Sequence, residues 1–324
     1  MNANGRLVAL LALFLSFNLT GATQTSPQIG STASTKATDK VVFSTTVIDK
    51  KGNLVTGLQR DNFQVSIDKT PASIIDFGEE DFPLSVGLIF DASASVGARR
   101  SGKAMRALIN SAQQGLNAFL QGSNPLNEYF LMSISDSPQL LLNWTSDSKA
   151  ITDILDVWQP KGNTAFYDAC YMGIDKLRLS SYSKRVLILI TDGNDSSSTH
   201  SFNQVRDKLR TSNVLVYSLF LGMRIEGSSM GLEGQEILDD FSVISGGRFF
   251  WPGETLTASE GTSIFEKIAS ELRHQYIIAV TPNVASDNSE WHKIKIKVST
   301  AANDPGEMKH LSARTRQGFY LNQR

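Results

Sequence analysis

The sequence predicts an α/β protein, a doubly wound, mostly parallel, Rossmann-like sheet inserted in a small flanking all-β sandwich. Three observations lead there. Between Pro83 and Ser270, continuous apolar runs alternate with stretches of helical spacing. Unbroken apolar runs mark strands covered on both faces, and strand–helix alternation builds parallel sheets. Lys40–Phe82 and Gln275–Arg324 carry instead short runs of β-branched and aromatic residues separated by turn residues. At 43 and 50 residues, neither flank buries enough surface to be stable by itself, so the two are expected to pair.

At the amino terminus, Arg6 precedes Leu7–Leu19, a run interrupted only by Ser16 and Asn18, and Thr20-Gly21-Ala22 supplies small residues. A basic start, a short apolar stretch and a small-residue exit form a secretory signal peptide, expected over 1–22. A membrane span would need about 20 apolar residues. Residues 23–39, rich in Thr, Ser, Ala, Gln and Gly, read as a flexible leader. The expected location is therefore outside the cytoplasm, in a bacterial periplasm or beyond the cell, with no stable membrane span once the signal is removed.

In the first β segment, 40–82, strands are expected at Val41–Ile48, Phe63–Ile67 and Ile74–Phe77. The α/β segment, 83–270, opens with the apolar strand Leu84–Phe90. A helix is expected across 100–120, where Met105, Leu108, Ile109, Ala112, Leu116, Phe119 and Leu120 recur at helical spacing. Strands follow at Tyr129–Ile134 and Leu140–Trp144, then helices at Lys149–Trp158 and Ala165–Leu179. Next come a strand at Arg185–Thr191, a helix at Ser201–Thr211 and a strand at Val214–Phe220. A helix at Gln235–Ser245 stops at Gly246-Gly247, and Arg248–Trp251 adds a short strand. The second β segment, 275–324, offers Tyr276–Val280, Lys293–Val298 and Leu311–Tyr320.

Composition removes several functions. Thirty-one basic against thirty-two acidic residues give a net charge of −1, so the chain lacks the basic field that nucleic acid attracts. One cysteine, Cys170, excludes an internal disulfide and a Cys-based zinc site, and the four histidines stand far apart.

Three loops carry chemistry. Asp91-Ala92-Ser93-Ala94-Ser95 follows the first buried strand and alternates an acid with two hydroxyls. Gly162-Asn163-Thr164-Ala165 opens a helix, with Thr164 where an N-cap hydroxyl would stand. Thr191-Asp192-Gly193-Asn194-Asp195 follows the next long buried strand. Placed at the carboxyl ends of elements in one parallel sheet, all three share a rim, where ligands of open α/β sheets bind. Two carboxylates and three hydroxyls make a hard-oxygen set suited to Mg²⁺ or Mn²⁺.

Read together and in this order, these residues resemble the von Willebrand factor type A domain over residues 83–252. Its metal-ion-dependent adhesion site is Asp-x-Ser-x-Ser, a distant Thr and a distant Asp in a Thr-Asp-Gly turn, matched by Asp91, Ser93, Ser95, Thr164 and Asp192. The flanks are similar to those of a group of bacterial exported proteins carrying this domain, through Thr56-Gly-Leu…Asn62-Phe63, Leu272–Ile278 and Arg316-Gln-Gly-Phe-Tyr320. The resemblance implies a cation held by both serines and Thr164, with Asp91 and Asp192 bound directly or through water. It also implies an adhesion-type module whose protein partner supplies an Asp or Glu carboxylate as last ligand, and no catalytic residues. The alternative is a metal-dependent hydrolase or phosphatase using the same carboxylates. Against it, the acid/base position two residues after Asp91 is Ser93, and neither Gly-x-Ser-x-Gly nor a phosphate-binding glycine loop is present.

Other residues take quieter readings. Asp168, one turn after Thr164, either supports the site or is a helix-start acid. Cys170 reads as a small buried residue, His200 as exposed, and Gly227–Gly231 as a loop. Lys293, Lys295 and Lys297 read as a solvated strand face that also protects a sheet edge, with a polyanion patch as the alternative.

Overall fold

The computed structural model describes residues 40–91, 102–156, 162–222, 230–253, 255–282, 290–299 and 311–321. The strands are β1 (Val41–Ile48), β2 (Phe63–Ile67), β3 (Thr70–Ala72), β4 (Ile74–Glu79), β5 (Ser85–Asp91), β6 (Glu128–Ile134) and β7 (Gln139–Thr145). They continue with β8 (Arg185–Thr191), β9 (Val214–Phe220), β10 (Arg248–Phe250), β11 (Tyr276–Val280), β12 (His292–Val298), β13 (Ser312–Arg314) and β14 (Gly318–Phe319). The helices are α1 (Gly102–Gly122), α2 (Ser148–Asp156), α3 (Phe166–Arg178), α4 (Phe202–Thr211), α5 (Met230–Ser245) and α6 (Ala258–Arg273).

The central sheet has the order β10-β9-β8-β5-β6-β7. Every pair in it is parallel except β6–β7. Its strands are apolar on both faces, and the two-residue period sorts their side chains into two cores. Val86, Leu88 and Phe90 of β5 pack with α1, α2 and α6, whereas Ile89 packs with α3, α4 and α5. Helices on both faces make the sheet doubly wound, as the apolar runs predict. α1 and α6 approach at two glycines: a Cβ on Gly115 would stand 2.6 Å from the Gly261 carbonyl oxygen.

Two four-stranded sheets, β13-β1-β11-β4 and β14-β12-β2-β3, flank this unit. β1 and β4 pair with β11, and β2 with β12, so segments from before and after the α/β region interleave. Phe43, Phe63, Ile67, Tyr276, Ile278 and Phe319, drawn from both sheets, share one core. Phe63 and Tyr276 are 4.9 Å apart between ring centroids. The α/β unit is thus inserted in a β sandwich. Among the described residues, no helix is long and apolar enough to cross a membrane.

Three sequence expectations change. The run Leu311–Tyr320 is not one strand: β13 pairs with β1 and β14 with β12, in different sheets. Arg316, between them, buries its guanidinium and donates to Arg210 O at 3.0 Å and Asn213 Oδ1 at 3.4 Å. α6, absent from the sequence reading, is bounded by a capping box in which Thr257 Oγ1 accepts from Glu260 N and Glu260 Oε2 accepts from Thr257 N. α5 begins at Met230, so Gly231 lies in a helix rather than a loop. On β12, β14 covers only His292 and Lys293, so Lys295 and Lys297 lie where no strand pairs on the side away from β2 among the described residues.

Candidate functional site

Asp91 ends β5 and Thr191 ends β8, and these strands are parallel neighbours with Phe90 opposite Ile190. The register sets Asp91 beside Thr191, whose Oγ1 donates to Asp91 Oδ2 at 2.5 Å. Thr191 Oγ1 also accepts from Gly193 N at 3.0 Å, and its carbonyl accepts from Leu221 N at 2.8 Å. Asp192 Oδ1 accepts from Asn194 N at 3.1 Å, closing an Asx turn. Asp91 and Asp192 are both buried. Gly193, at φ +70°, lets the chain turn back here.

The loop Gly162–Ala165 comes from elsewhere in the chain and is cross-linked into this rim. Ala165 N donates to Ser135 O at 2.8 Å, just beyond β6. Asn163 N donates to Asp136 Oδ1 at 2.8 Å, and Gly162, at φ +87°, packs over the same carboxylate. On the other side, Thr164 N donates to Ser196 Oγ at 3.0 Å, while Thr164 O accepts from Ser196 N and Ser197 N. Since β5 lies between β6 and β8, the loop is fastened on both sides of the strand that ends in Asp91. The Thr164 side chain is buried. Thr164 is not the N-cap: Ala165 holds that position, without a side-chain cap. The loop is held at the rim by lateral hydrogen bonds.

Of the five predicted ligands, the fold gathers Asp91, Thr164 and Asp192 on one rim. Ser93 and Ser95 lie outside the described residues. Among the described residues, no group of three or more His, Cys, Asp or Glu could hold a metal. Two carboxylates supplemented by hydroxyls are the donors available, a set that fits a hard dication such as Mg²⁺.

Support comes from residues that the sequence reading passed over. Asp136 positions Asn163, and its signal was an acid placed just after a buried strand, as in the other two loops. Thr191 orients Asp91, and only pairing of β5 with β8 makes that visible. Asp195 accepts from Tyr167 N at 3.2 Å and Ser198 Oγ at 2.5 Å. Burial, then Asp195 and Glu233, push the Tyr167 phenol up to about 12.

Asp168 does serve as a first-turn acid, and it also organises the loop after β8. It accepts from Thr199 N at 3.0 Å and His200 N at 2.8 Å, and lies 2.6 Å from His200 Nδ1. Burial opposes its ionisation, but these hydrogen bonds outweigh it and hold its carboxyl below the usual range. His200 is therefore not simply exposed; its ring is half-buried, stacked on Tyr171 with centroids 3.9 Å apart. Cys170 is buried as expected, and burial, then Asp195, raise its thiol well above the ordinary value.

With Asp91 and the Thr-Asp-Gly turn at adjacent strand ends of a doubly wound, mostly parallel sheet, the chain is an α/β protein. Residues 86–194 match the model of the von Willebrand factor type A domain. Similar solved structures include an aerotolerance-related membrane protein from Bacteroides fragilis, 17% identical, with 58% of this chain and 98% of that chain covered and a TM-score of 0.45. BatB from Bacteroides thetaiotaomicron gives the same values. The vWF domain of the type V pili tip protein Mfa5 from Porphyromonas gingivalis is 12% identical, with 59% and 97% covered and a TM-score of 0.46. These are similarities of fold alone. No curated protein matches the chain.

Proposed function

We propose that this chain is an exported, adhesion-type protein-binding module. Asp91, Ser93, Ser95, Thr164 and Asp192 hold Mg²⁺ or Mn²⁺ at the sheet rim, and an Asp or Glu carboxylate of a partner protein completes the coordination. The observation that carries this reading is the convergence of chain-distant segments: Thr191 holds Asp91 at the end of β5, and Ser196 and Ser135 fasten the Thr164 loop across the same rim. Neutral hydroxyls make up most of the donor set, so the bound dication keeps enough positive charge to attract an outside carboxylate. The module acts by binding, without catalysis, and outside the cytoplasm.

Isothermal titration with Mg²⁺ and Mn²⁺ tests the site. Asp91→Ala and Asp192→Ala are expected to abolish binding while circular dichroism shows the fold retained. Unchanged metal affinity in both variants would overturn the assignment. Partner capture from exported proteins, with and without chelator, then tests the carboxylate bridge.

A further inference from the structure

The sandwich carries a charged face remote in sequence from the metal loops. On β12 the two-residue period sends His292 and Ile296 inward, with Ile294 half-buried, and leaves Lys293, Lys295 and Lys297 exposed. Outward lysines two residues apart stand about 6.8 Å from one another. Trp291, two residues before Lys293, shares their side: its indole lies over Gly318, where a Cβ would meet Cζ2 at 2.7 Å. Tyr320 meets the same indole edge-on at 5.1 Å.

The neighbouring strand adds polar groups in register. Lys297 stands opposite Gln64 and Lys295 opposite Ser66, with Pro71 beyond Ser66 on β3. A groove of about 760 Å³ runs here, lined by Arg60, Asp61, Gln64, Ser66, Lys69 and Lys297 among others. Lys293, Lys295 and Lys297 form one row on β12, and Arg60 and Lys69 line the groove beside Lys297, with Asp61 in the same groove. Asp68 is already committed: its carboxylate lies 2.7 Å from His292 Nδ1 and accepts from Lys293 N at 2.8 Å. β2 pairs with Ile294–Val298, whereas β14 pairs only with His292 and Lys293, so the row runs from a covered stretch of β12 onto one left unpaired on its far side among the described residues.

We propose that this face binds an acidic polysaccharide, a sugar chain bearing carboxylates. The lysine row complements a repeating negative charge. The Arg210 guanidinium lies over the half-buried indole, 5.7 Å from its centroid, and adds a further cation near the row, while the Gln64 amide and Ser66 hydroxyl can pair with sugar hydroxyls. A lipid surface fits less well, since among the described residues the large exposed apolar side chains lie on elements other than β12, β2 and β3. The inference is independent of the metal site.

The test titrates the full chain with an oligouronate of ten sugars at low salt. Expected is saturable binding that weakens with salt, survives chelator and falls at least tenfold in the triple variant Lys293→Gln/Lys295→Gln/Lys297→Gln. A control triple with the same change in charge, Lys50→Gln/Lys51→Gln/Lys149→Gln, should bind as the parent does. No binding by the parent, or equal loss in the control, would overturn the proposal. So would binding confined to vesicles of anionic phospholipid or to single-stranded DNA.

Discussion

Arg314, on β13 of the sandwich, donates to Oε2 of Glu271 in the last turn of α6, the final helix of the α/β unit. Arg248 Nη1 reaches Oε1 of the same carboxylate at 2.7 Å, and the Tyr217 hydroxyl lies 3.2 Å from Oε2. The Glu271 side chain is only 4% exposed. One buried carboxylate therefore joins three strands and a helix across the seam between sandwich and α/β unit. Removing one member of a buried charged set costs about 3–5 kcal/mol, because the remaining charges lose their partner. Glu271→Ala is expected to lower unfolding free energy by about 3 kcal/mol in urea titration. A loss below about 1 kcal/mol would mean that the seam does not depend on this group.

Gly193 sits where a side chain has no room. Its φ is +70°, and a Cβ there would overlap the carbonyl oxygen of Gly234 in the first turns of α5. Strain and overpacking each cost about 1–3 kcal/mol. Gly193→Ala should therefore destabilise the chain by about 2 kcal/mol or more and weaken Mg²⁺ binding as Asp192 is displaced. Parental stability and metal affinity in this variant would show that α5 does not brace the loop.

Lys184 is buried, and its ammonium donates to the Leu272 carbonyl at the end of α6. Burial, only partly offset by Asp81, takes its pKa from the ordinary 10.5 down to about 8. Between those values the unfolded chain binds more protons than the folded one, so stability rises with pH, by up to about 1.4 kcal/mol per unit. Below about pH 8 both states are protonated and the slope vanishes. Urea unfolding of the parent and Lys184→Met from pH 7 to 10 should show this rise in the parent only. Parallel curves would refute it.

Lys40–Phe82 expressed alone should be unfolded. β1 and β4 both pair with β11, and β2 with β12, so the fragment keeps only the β2–β3 hairpin. A two-stranded hairpin is marginal in water. Its buried Phe43, Phe63 and Ile67 would each forgo about 1.5–3 kcal/mol of transfer free energy. A cooperative thermal transition in this fragment would contradict the interleaved sandwich.

Much of this was legible in the residues themselves. The runs Leu84–Phe90, Arg185–Thr191 and Val214–Phe220 announced strands covered on both faces, because only such strands are apolar at every position. α6 was missed although Ile264, Phe265, Ile268 and Leu272 recur at helical spacing behind Thr257-x-x-Glu260. Leu311–Tyr320 was misread as one strand because the lateral partners that divide it, β1 and β12, leave no mark in its own composition.

The sequence by itself determined the alternation of strands and helices, the insertion inferred from two incomplete β flanks, and the acid and hydroxyl residues at strand ends. Local burial patterns and turn chemistry are written into neighbouring positions, so they can be read along the chain. The tertiary structure alone decided that Thr191 orients Asp91, that Ser135 and Ser196 fasten the Thr164 loop, and that His200 stacks on Tyr171. These contacts join residues far apart in the chain, and their partners are chosen by which faces dock once the core has formed.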